Sequence, residues 1–441
     1  MNDRLNRTKP SVFIETYGCQ MNKYDTELVS GLLLYNGYTL VDSCDQADIV
    51  LVNTCSIRHT AEERALGRIA VLSEWRRKSP GRKLGVIGCM SQRMGADLLK
   101  KRPNVDFIVG PDAYRSLPEM IDDGLNGPCI RTDLKTAEVY QNIRPERRTG
   151  VTGWIAISRG CDNYCSYCIV PYTRGRERSR PAEDVLAEAK SMVERGFKEI
   201  CFLGQNVNAY RDGADDFAGL LRRVSRIEGL LRIRFMTSHP KDLSEGLLTA
   251  MSETPVICPH LHLPVQSGSN RVLEAMNRRY TREQYLDLVE KARAYIPGIA
   301  ITSDVMVGFP GETGDDFEDT MHLVEAVRFD EAFTYAYSPR SGTRAAAFPD
   351  AVPHPEKMRR LDELIRLQRG ITSAIRRCMI GSTVEVLPEK SSQKSEDEWM
   401  GRTPTNHVVV FPKGESRLGE FVRVRIESCR GATLWGRKPV G

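Results

Sequence analysis

The stretch Thr152-Gly153-Trp154-Ile155-Ala156-Ile157-Ser158-Arg159-Gly160-Cys161-Asp162-Asn163-Tyr164-Cys165-Ser166-Tyr167-Cys168 decides the reading of this chain. Residues 152–158 read as a strand, and a C-x3-C-x2-C loop follows it directly. Three thiolates on one tight loop can hold three irons of a cubane cluster and leave the fourth iron open. An open iron is what a ligand such as S-adenosylmethionine needs for reductive cleavage. The competing reading is a zinc knuckle. Zinc usually takes a fourth protein ligand, and no second cysteine pair or histidine follows nearby.

Working outward toward the C-terminus, strands are expected at 152–158, 198–204, 231–237, 259–265, 299–307 and 331–337, with amphipathic stretches between them. Six βα units point to a barrel or partial barrel with its chemistry at the strand carboxyl ends. Pro355 to Cys378 reads as one long helix. The final residues, with strand-like runs at 382–387, 406–411 and 421–426, read as a small all-β barrel.

Toward the N-terminus, three strand-like runs each end at a cysteine. They are Ser11 to Gly18 before Cys19, Ala47 to Thr54 before Cys55, and Lys83 to Gly88 before Cys89. A fourth apolar run covers 105–109, and helical patterns lie between. This alternation argues a doubly wound parallel α/β sheet. Ligands of such sheets sit beyond the strand carboxyl ends, where all three cysteines fall. Residues 126–150, with Gly127-Pro128 and Arg144-Pro145, read as a linker. The expected domains are 10–128, 147–378 and 380–441.

Composition agrees with an ordinary globular protein. The chain has 441 residues, a prior of about three domains. The apolar fraction of 41% excludes a disordered chain. No apolar run approaches the roughly 18 residues of a membrane span, and the polar start Met1 to Arg7 is unlike a secretory signal. Twelve cysteines without an export signal point to a reducing compartment and to metal or redox chemistry. A cytoplasmic location is the expectation. The net charge of +5 permits a polyanionic partner without demanding one.

The C-x3-C-x2-C loop resembles that of the radical S-adenosylmethionine superfamily. Glu15-Thr16-Tyr17-Gly18-Cys19-Gln20-Met21-Asn22, Asn53-Thr54-Cys55-Ser56-Ile57-Arg58 and Gly88-Cys89-Met90-Ser91-Gln92-Arg93 resemble the N-terminal domain of the methylthiotransferases. The likeness continues through 171–181, Leu263 to Ser269 and Val307 to Thr313. The stretch Gly401-Arg402-Thr403-Pro404-Thr405-Asn406-His407-Val408-Val409 resembles the RNA-binding TRAM barrel of the MiaB branch. Pro404, His407 and Val305-Met306 depart slightly from the pattern.

The resemblance implies two [4Fe–4S] clusters. Cys161, Cys165 and Cys168 would hold the radical cluster. Cys19, Cys55 and Cys89 would hold an auxiliary cluster with one iron free to carry sulfur. From layout alone a shared metal is the favoured reading, and separate buried thiols are the alternative. The other six cysteines have no ligand spacing. The resemblance also places Tyr167 near the adenine of S-adenosylmethionine. Polar residues at the barrel strand ends, Asn206, Gln266, Ser303 and Asp304, are the other cofactor candidates. His239 is either a base or a structural histidine at a strand end.

Residues 142–180 hold eight Arg against three acids, and the 355–378 helix seven bases against three acids. Such segments suit a folded RNA, whose affinity comes largely from phosphate contacts. The RNA candidates are Arg174, Arg178, Arg402, Asn406, Arg423 and Arg425. The MiaB branch makes 2-methylthio-N6-isopentenyladenosine beside the anticodon of transfer RNA. One S-adenosylmethionine would methylate a cluster sulfur, and a second would yield the radical that opens the C2–H bond. No residue is expected to act as acid or base. The expected partners are the anticodon stem-loop, an electron donor such as a flavodoxin or ferredoxin, and a sulfur or cluster supplier. A monomer without membrane contact is expected. The alternatives are a sister methylthiotransferase acting on threonylcarbamoyladenosine or a ribosomal-protein aspartate, and a non-catalytic zinc-bearing RNA-binding protein.

Overall fold

The computed structural model describes residues 9–56, 59–123, 128–147 and 149–439, and at 59–61 the backbone alone. Residues 1–7, Ile57, Arg58, Gly127 and Arg148, which entered the sequence reading, lie outside the described residues. The chain divides into two compact units. The first comprises 1–148, 158–162 and 169–180; the second comprises 149–157, 163–168 and 181–441.

The first unit is built on a parallel sheet. Its strands run in the order Thr39–Leu40, Ser11–Tyr17, Ile49–Thr54, Lys83–Gly88, Phe107–Val109, Cys129–Arg131. Along 49–52, side chains alternate between the sheet's two faces, as the period of two requires. Ile49 and Leu51 join a core with Leu28, Leu32 and Leu33 of helix Gln20–Tyr35. Val50 and Val52 join another core with Ile69 and Leu72 of helix His59–Lys78. Both faces are covered, which is why these strands are continuously apolar.

The strand order reverses between 11–17 and 49–54, which makes that junction the topological switch point. The register then matters. Tyr17 is level with Thr54, and Thr54 with Gly88. Three chains therefore leave the sheet side by side, each one or two residues before a cysteine.

The expected linker is not a linker. Cys129–Arg131 is the sheet's sixth strand. Beyond it, Tyr140 is buried, donating to the Pro111 carbonyl at 2.7 Å and accepting from the Tyr114 amide at 3.0 Å. Arg147 is buried and stands 3.0 Å from Glu27. Side-chain anchors hold this segment, and hydrophobic periodicity does not register them.

In the second unit, six parallel strands form two three-stranded sheets: Thr152–Ala156, Glu199–Leu203 and Arg232–Phe235, then His260–His262, Ala300–Val307 and Glu331–Ala336. A bridge from Ile233 to Ile257 links them into a partial (β/α)6 barrel. Ile200, Phe202, Ile233, Phe235, Leu261 and Ile301 pack into the core with the surrounding helices. Alternate positions, Glu199, Arg234, His260, His262, Thr302 and Asp304, point to the opposite face. Arg234 and Glu199 neutralise each other there at 2.9 Å.

Helix His354–Cys378 leads to a closed barrel of five strands, 383–391, 398–402, 408–412, 433–437 and 422–430 in spatial order. Two of these, Glu398–Arg402 and Thr433–Arg437, were not expected from sequence. Arg360 and Arg376 of the basic helix are buried against Glu312 and Glu331. Part of that helix's charge is therefore neutralised internally. Among the described residues no helix is long and apolar enough to cross a membrane.

Candidate functional site

The three N-terminal cysteines meet where the switch point predicts. Cys19 precedes helix Gln20–Tyr35, Cys55 follows its strand directly, and Cys89 opens helix Cys89–Met94. Two glycines permit this. A Cβ on Gly18 would stand 2.9 Å from the Cβ of Cys55. Gly88 has φ of +97°, and a Cβ there would meet the Asn53 side chain and the Thr54 carbonyl, each at 2.6 Å. A buried amide pair locks the loops. Asn22 Nδ2 donates to Asn53 Oδ1 and to the Thr54 carbonyl, both at 3.1 Å, and Asn53 Nδ2 donates to the Asn22 carbonyl at 2.8 Å.

Cys55 and Cys89 are buried, Cys19 is half-buried, and none is in a disulfide. The neighbouring Cys55 thiol and burial push the Cys19 thiol well up. Burial also pushes Cys89 up, while the Arg174 guanidinium draws it back. Arg174 Nε donates to Cys89 Sγ at 3.1 Å. Crowded thiolates repel one another, which is why these thiols are pushed up, and a cationic group that binds all three removes that repulsion. Among the described residues, no three His, Cys, Asp or Glu side chains are grouped to hold a single metal ion. A cubane spreads its thiolates over three irons, so its ligands need not converge on one point. The donor set fits a cluster.

Arg174 and Arg178 were expected on RNA, and the structure corrects both. Arg174 is 3% exposed and Arg178 9%. Arg174 Nη2 donates to Asp25 Oδ2 at 2.7 Å, and Arg178 Nη2 to Asp112 Oδ1 at 2.9 Å. Asp25 also accepts from Arg159 at 2.7 Å. Burial alone would raise the Asp25 carboxyl, but Arg174 and Arg159 hold it below its usual value. Asp25 and Arg159 were missed because nothing in sequence marks a mid-helix acid or a strand-end arginine as buried.

Cys161 belongs to the first unit, and Cys165 and Cys168 to the second. Cys161 is buried, and its amide donates to the Gly175 carbonyl at 3.2 Å. In the second unit, Tyr164 adopts φ of +46°, and the Cys168 amide donates to the Cys165 carbonyl at 2.9 Å. Arg278 was also missed. Its Nη1 lies 3.5 Å from Cys165 Sγ, its Nη2 donates to the Pro264 carbonyl at 2.6 Å, and its Nε donates to the Tyr280 hydroxyl at 2.9 Å. Tyr167 packs against Val272, Met276, Phe309, Tyr337 and Ala345. Burial pushes its hydroxyl well up.

At the barrel strand ends the cofactor candidates separate. Asn206 is buried; its Nδ2 donates to Asp242 Oδ2 at 2.7 Å, and its Oδ1 has no partner. Ser238 Oγ and His239 Nε2, after the next strand, are likewise buried and unpartnered. Unsatisfied buried polar atoms are costly in isolation, which makes these three suited to a polar ligand. Gln266 is buried with φ of +73°, and its backbone bridges to Val305. Asp304 is partly exposed, 3.6 Å from His262. Ser303 is corrected. It is fully buried on the opposite face, where its hydroxyl donates to the Leu263 carbonyl and accepts from the Val265 amide, each at 3.0 Å. It ties two strands together.

His239 makes a structural contact on one ring nitrogen only. Its Nδ1 accepts from the Lys241 amide at 3.3 Å. Burial and the Arg278 charge push the ring down to about 2, so it stays neutral.

The C-terminal motif is tied both within itself and to the partial barrel. Arg402 Nη1 donates to the carbonyl and side-chain oxygens of Asn406 at 3.2 and 3.1 Å. Asn406 sits at φ of +69°, a conformation Asn tolerates. The backbone between them is held by the partial barrel. Arg232 Nη1 donates to the Arg402 carbonyl at 2.6 Å, and Arg234 donates to the Thr403 and Pro404 carbonyls at 2.7 and 3.0 Å. His407 Nε2 lies 3.1 Å from Asp330. The motif's backbone carbonyls dock the small barrel, while the Arg402 side chain stays partly exposed. Arg423 and Arg425 are exposed on strand Val422–Arg430.

Three family models match the chain: the radical SAM superfamily over 155–324, the uncharacterized protein family UPF0004 over 11–110, and the TRAM domain over 377–438. The tRNA-2-methylthio-N(6)-dimethylallyladenosine synthase of Bacteroides fragilis is 45% identical, across 97% of this chain and 95% of that protein. The synthase of the same name from Prosthecochloris aestuarii is 46% identical, across 97% and 98%. Among solved structures, the radical S-adenosylmethionine methyltransferase TsrM from Kitasatospora setae, with cobalamin and a [4Fe–4S] cluster bound, aligns with a TM-score of 0.60 at 17% identity over 77% of each chain. That likeness shows the fold of the α/β parts. With three cysteines gathered at one switch point, a C-x3-C-x2-C loop and a closed TRAM barrel on one chain, the protein belongs to the radical SAM family of tRNA-2-methylthio-N(6)-dimethylallyladenosine synthases.

Proposed function

We propose that this chain places a methylthio group on C2 of N6-dimethylallyladenosine, the isopentenyl-modified adenosine beside the anticodon of transfer RNA. The observation that carries this reading is the meeting of Cys19, Cys55 and Cys89 at the sheet's switch point. A radical SAM enzyme that only abstracts hydrogen has no need of that second thiol set.

Cys161, Cys165 and Cys168 would hold the radical cluster, and Cys19, Cys55 and Cys89 the auxiliary one. When bound, the two [4Fe–4S] clusters and S-adenosylmethionine supply one-electron cleavage of the sulfonium and the sulfur that is methylated and transferred. The chain's own residues bind and orient. Asn206, fixed by Asp242, offers its unpartnered Oδ1 to a donor of the cofactor. Tyr167 contributes an apolar wall, Gln266 follows strand His260–His262, and Asp304 lies within the neighbouring strand Ala300–Val307. The C2–H bond is not acidic, so the site needs no general base, and the neutral His239 supplies none. Arg423 and Arg425 would meet RNA phosphate, with Arg402 and Asn406 shaping the adjoining loop.

The domain limits 10–128, 147–378 and 380–441, a flavodoxin or ferredoxin as electron donor, a separate sulfur supplier, a monomeric state and a cytoplasmic location complete the proposal. The test is nucleoside mass spectrometry of transfer RNA from a strain lacking this chain. Loss of the methylthio mark with accumulation of N6-dimethylallyladenosine is expected. An intact mark with a missing threonylcarbamoyl derivative would overturn the substrate.

A further inference from the structure

Arg174 is held at both ends of its guanidinium. Nη2 donates to Asp25 at 2.7 Å and Nε to Cys89 Sγ at 3.1 Å, while Nη1 is buried without a partner. Asp25 is fully buried and also accepts from Arg159, itself 1% exposed. Two guanidiniums share one carboxylate, so the group carries an excess positive charge. The nearby Arg178 does not change this, because Asp112 neutralises it. An excess buried cation is costly unless an anion faces it. The group it faces is Cys89.

We propose that Arg174 is a positioning residue that sets the reduction potential of the auxiliary cluster through its hydrogen bond to the Cys89 sulfur. This rests on the reading that Cys19, Cys55 and Cys89 hold that cluster. One electron added to a cubane lowers its charge by one, and part of the added density resides on the ligand sulfurs. An N–H donor and a buried cation beside such a sulfur favour the reduced form, which raises the potential. Asp25 works in the opposite direction: it fixes the guanidinium and partly cancels its charge.

The experiment uses the full-length chain carrying Cys161→Ala/Cys165→Ala/Cys168→Ala, so that only the auxiliary cluster remains. Iron and sulfide are counted after anaerobic reconstitution. The cluster is then titrated with dithionite and followed by electron paramagnetic resonance. Arg174→Met should shift the midpoint to a more negative value at unchanged iron content, and Arg174→Lys should shift it less. Asp25→Asn should shift it in the positive direction. Opposite signs are the mark of a charge effect, since mere loss of packing lowers iron content in every variant. An unchanged midpoint in an iron-replete Arg174→Met protein overturns the proposal.

A second measurement does not depend on Arg174→Met. With 15N-arginine in the protein, pulsed resonance on the reduced cluster should show a 15N coupling that Arg174→Lys removes. Absence of that coupling overturns the proposal even if Arg174→Met fails to fold. Failure of the underlying reading looks different: the Cys161/Cys165/Cys168 variant would then bind no iron at all.

Discussion

Arg278 Nη1 approaches Cys165 Sγ at 3.5 Å while Nη2 of the same guanidinium holds the Pro264 carbonyl at 2.6 Å. The residue thus couples the cysteine loop to the turn that ends at Gln266. Arg278 is 4% exposed, and its third bond goes to Tyr280. Arg278→Met should therefore loosen the loop on which Cys165 sits. Hydrogen bonds to a charged group are worth about 1.5–3 kcal/mol each, so a stability loss of at least about 2 kcal/mol is expected by urea unfolding. Iron retention should fall with it. Unchanged stability and iron would mean that the loop is held by other contacts.

Loss of any one of Cys161, Cys165 or Cys168 to Ala should abolish formation of 5′-deoxyadenosine, because the open-iron cubane loses a ligand. Chromatography of anaerobic reactions checks this. Undiminished cleavage in any of the three variants would remove the assignment of these ligands.

The Cys19→Ala/Cys55→Ala/Cys89→Ala protein should behave in the complementary way. It should keep cleaving S-adenosylmethionine, make no methylthiolated adenosine, and lose about one cubane of iron. Measuring iron, 5′-deoxyadenosine and modified nucleoside on one preparation separates the two clusters. Product formed by this variant would show that sulfur is carried elsewhere.

RNA binding is better tested at single residues than by removing the small barrel. Truncation at residue 380 would strip Arg232 and Arg234 of the Arg402, Thr403 and Pro404 carbonyls and unsettle the partial barrel. Arg423→Ala and Arg425→Ala leave those contacts intact. Each should weaken transfer RNA binding and lower the slope of log affinity against log salt by about one. Unchanged slopes in both would remove these arginines from the RNA surface.

Stability should fall as acid is added below about pH 6.5. His239 is pushed down to about 2 in the folded chain, and His260 well below its usual value, both chiefly by burial. Between those values and the ordinary histidine value the unfolded chain binds more protons, so stability rises with pH across that window. Each such histidine contributes at most about 1.4 kcal/mol per pH unit. His239→Gln should flatten the profile between pH 4 and 6 in urea titrations, and an identical slope would show that His239 is protonated in the fold.

The sequence by itself determined the classes of structure and marked the candidate metal ligands. Strands ending at Cys19, Cys55 and Cys89 and six βα units after Thr152 are local patterns, because burial on one or both faces writes a period of two or an unbroken apolar run into the chain. The C-x3-C-x2-C spacing is local too, since one loop must supply three ligands. Only the tertiary structure decided what each charge does. Arg174 and Arg423 are both arginines in basic stretches, yet one is buried on Asp25 and Cys89 and the other is exposed. Ser303 and Asp304 are adjacent, yet the pleat turns them to opposite faces, one to close a strand pair and one toward His262. The 401–409 motif gives no sign in sequence that Arg232 and Arg234, some 170 residues earlier, hold its carbonyls. A charged side chain carries no sequence mark of its partner, because that partner is chosen by which strands and helices pack together, and long-range packing leaves no periodic trace in the chain.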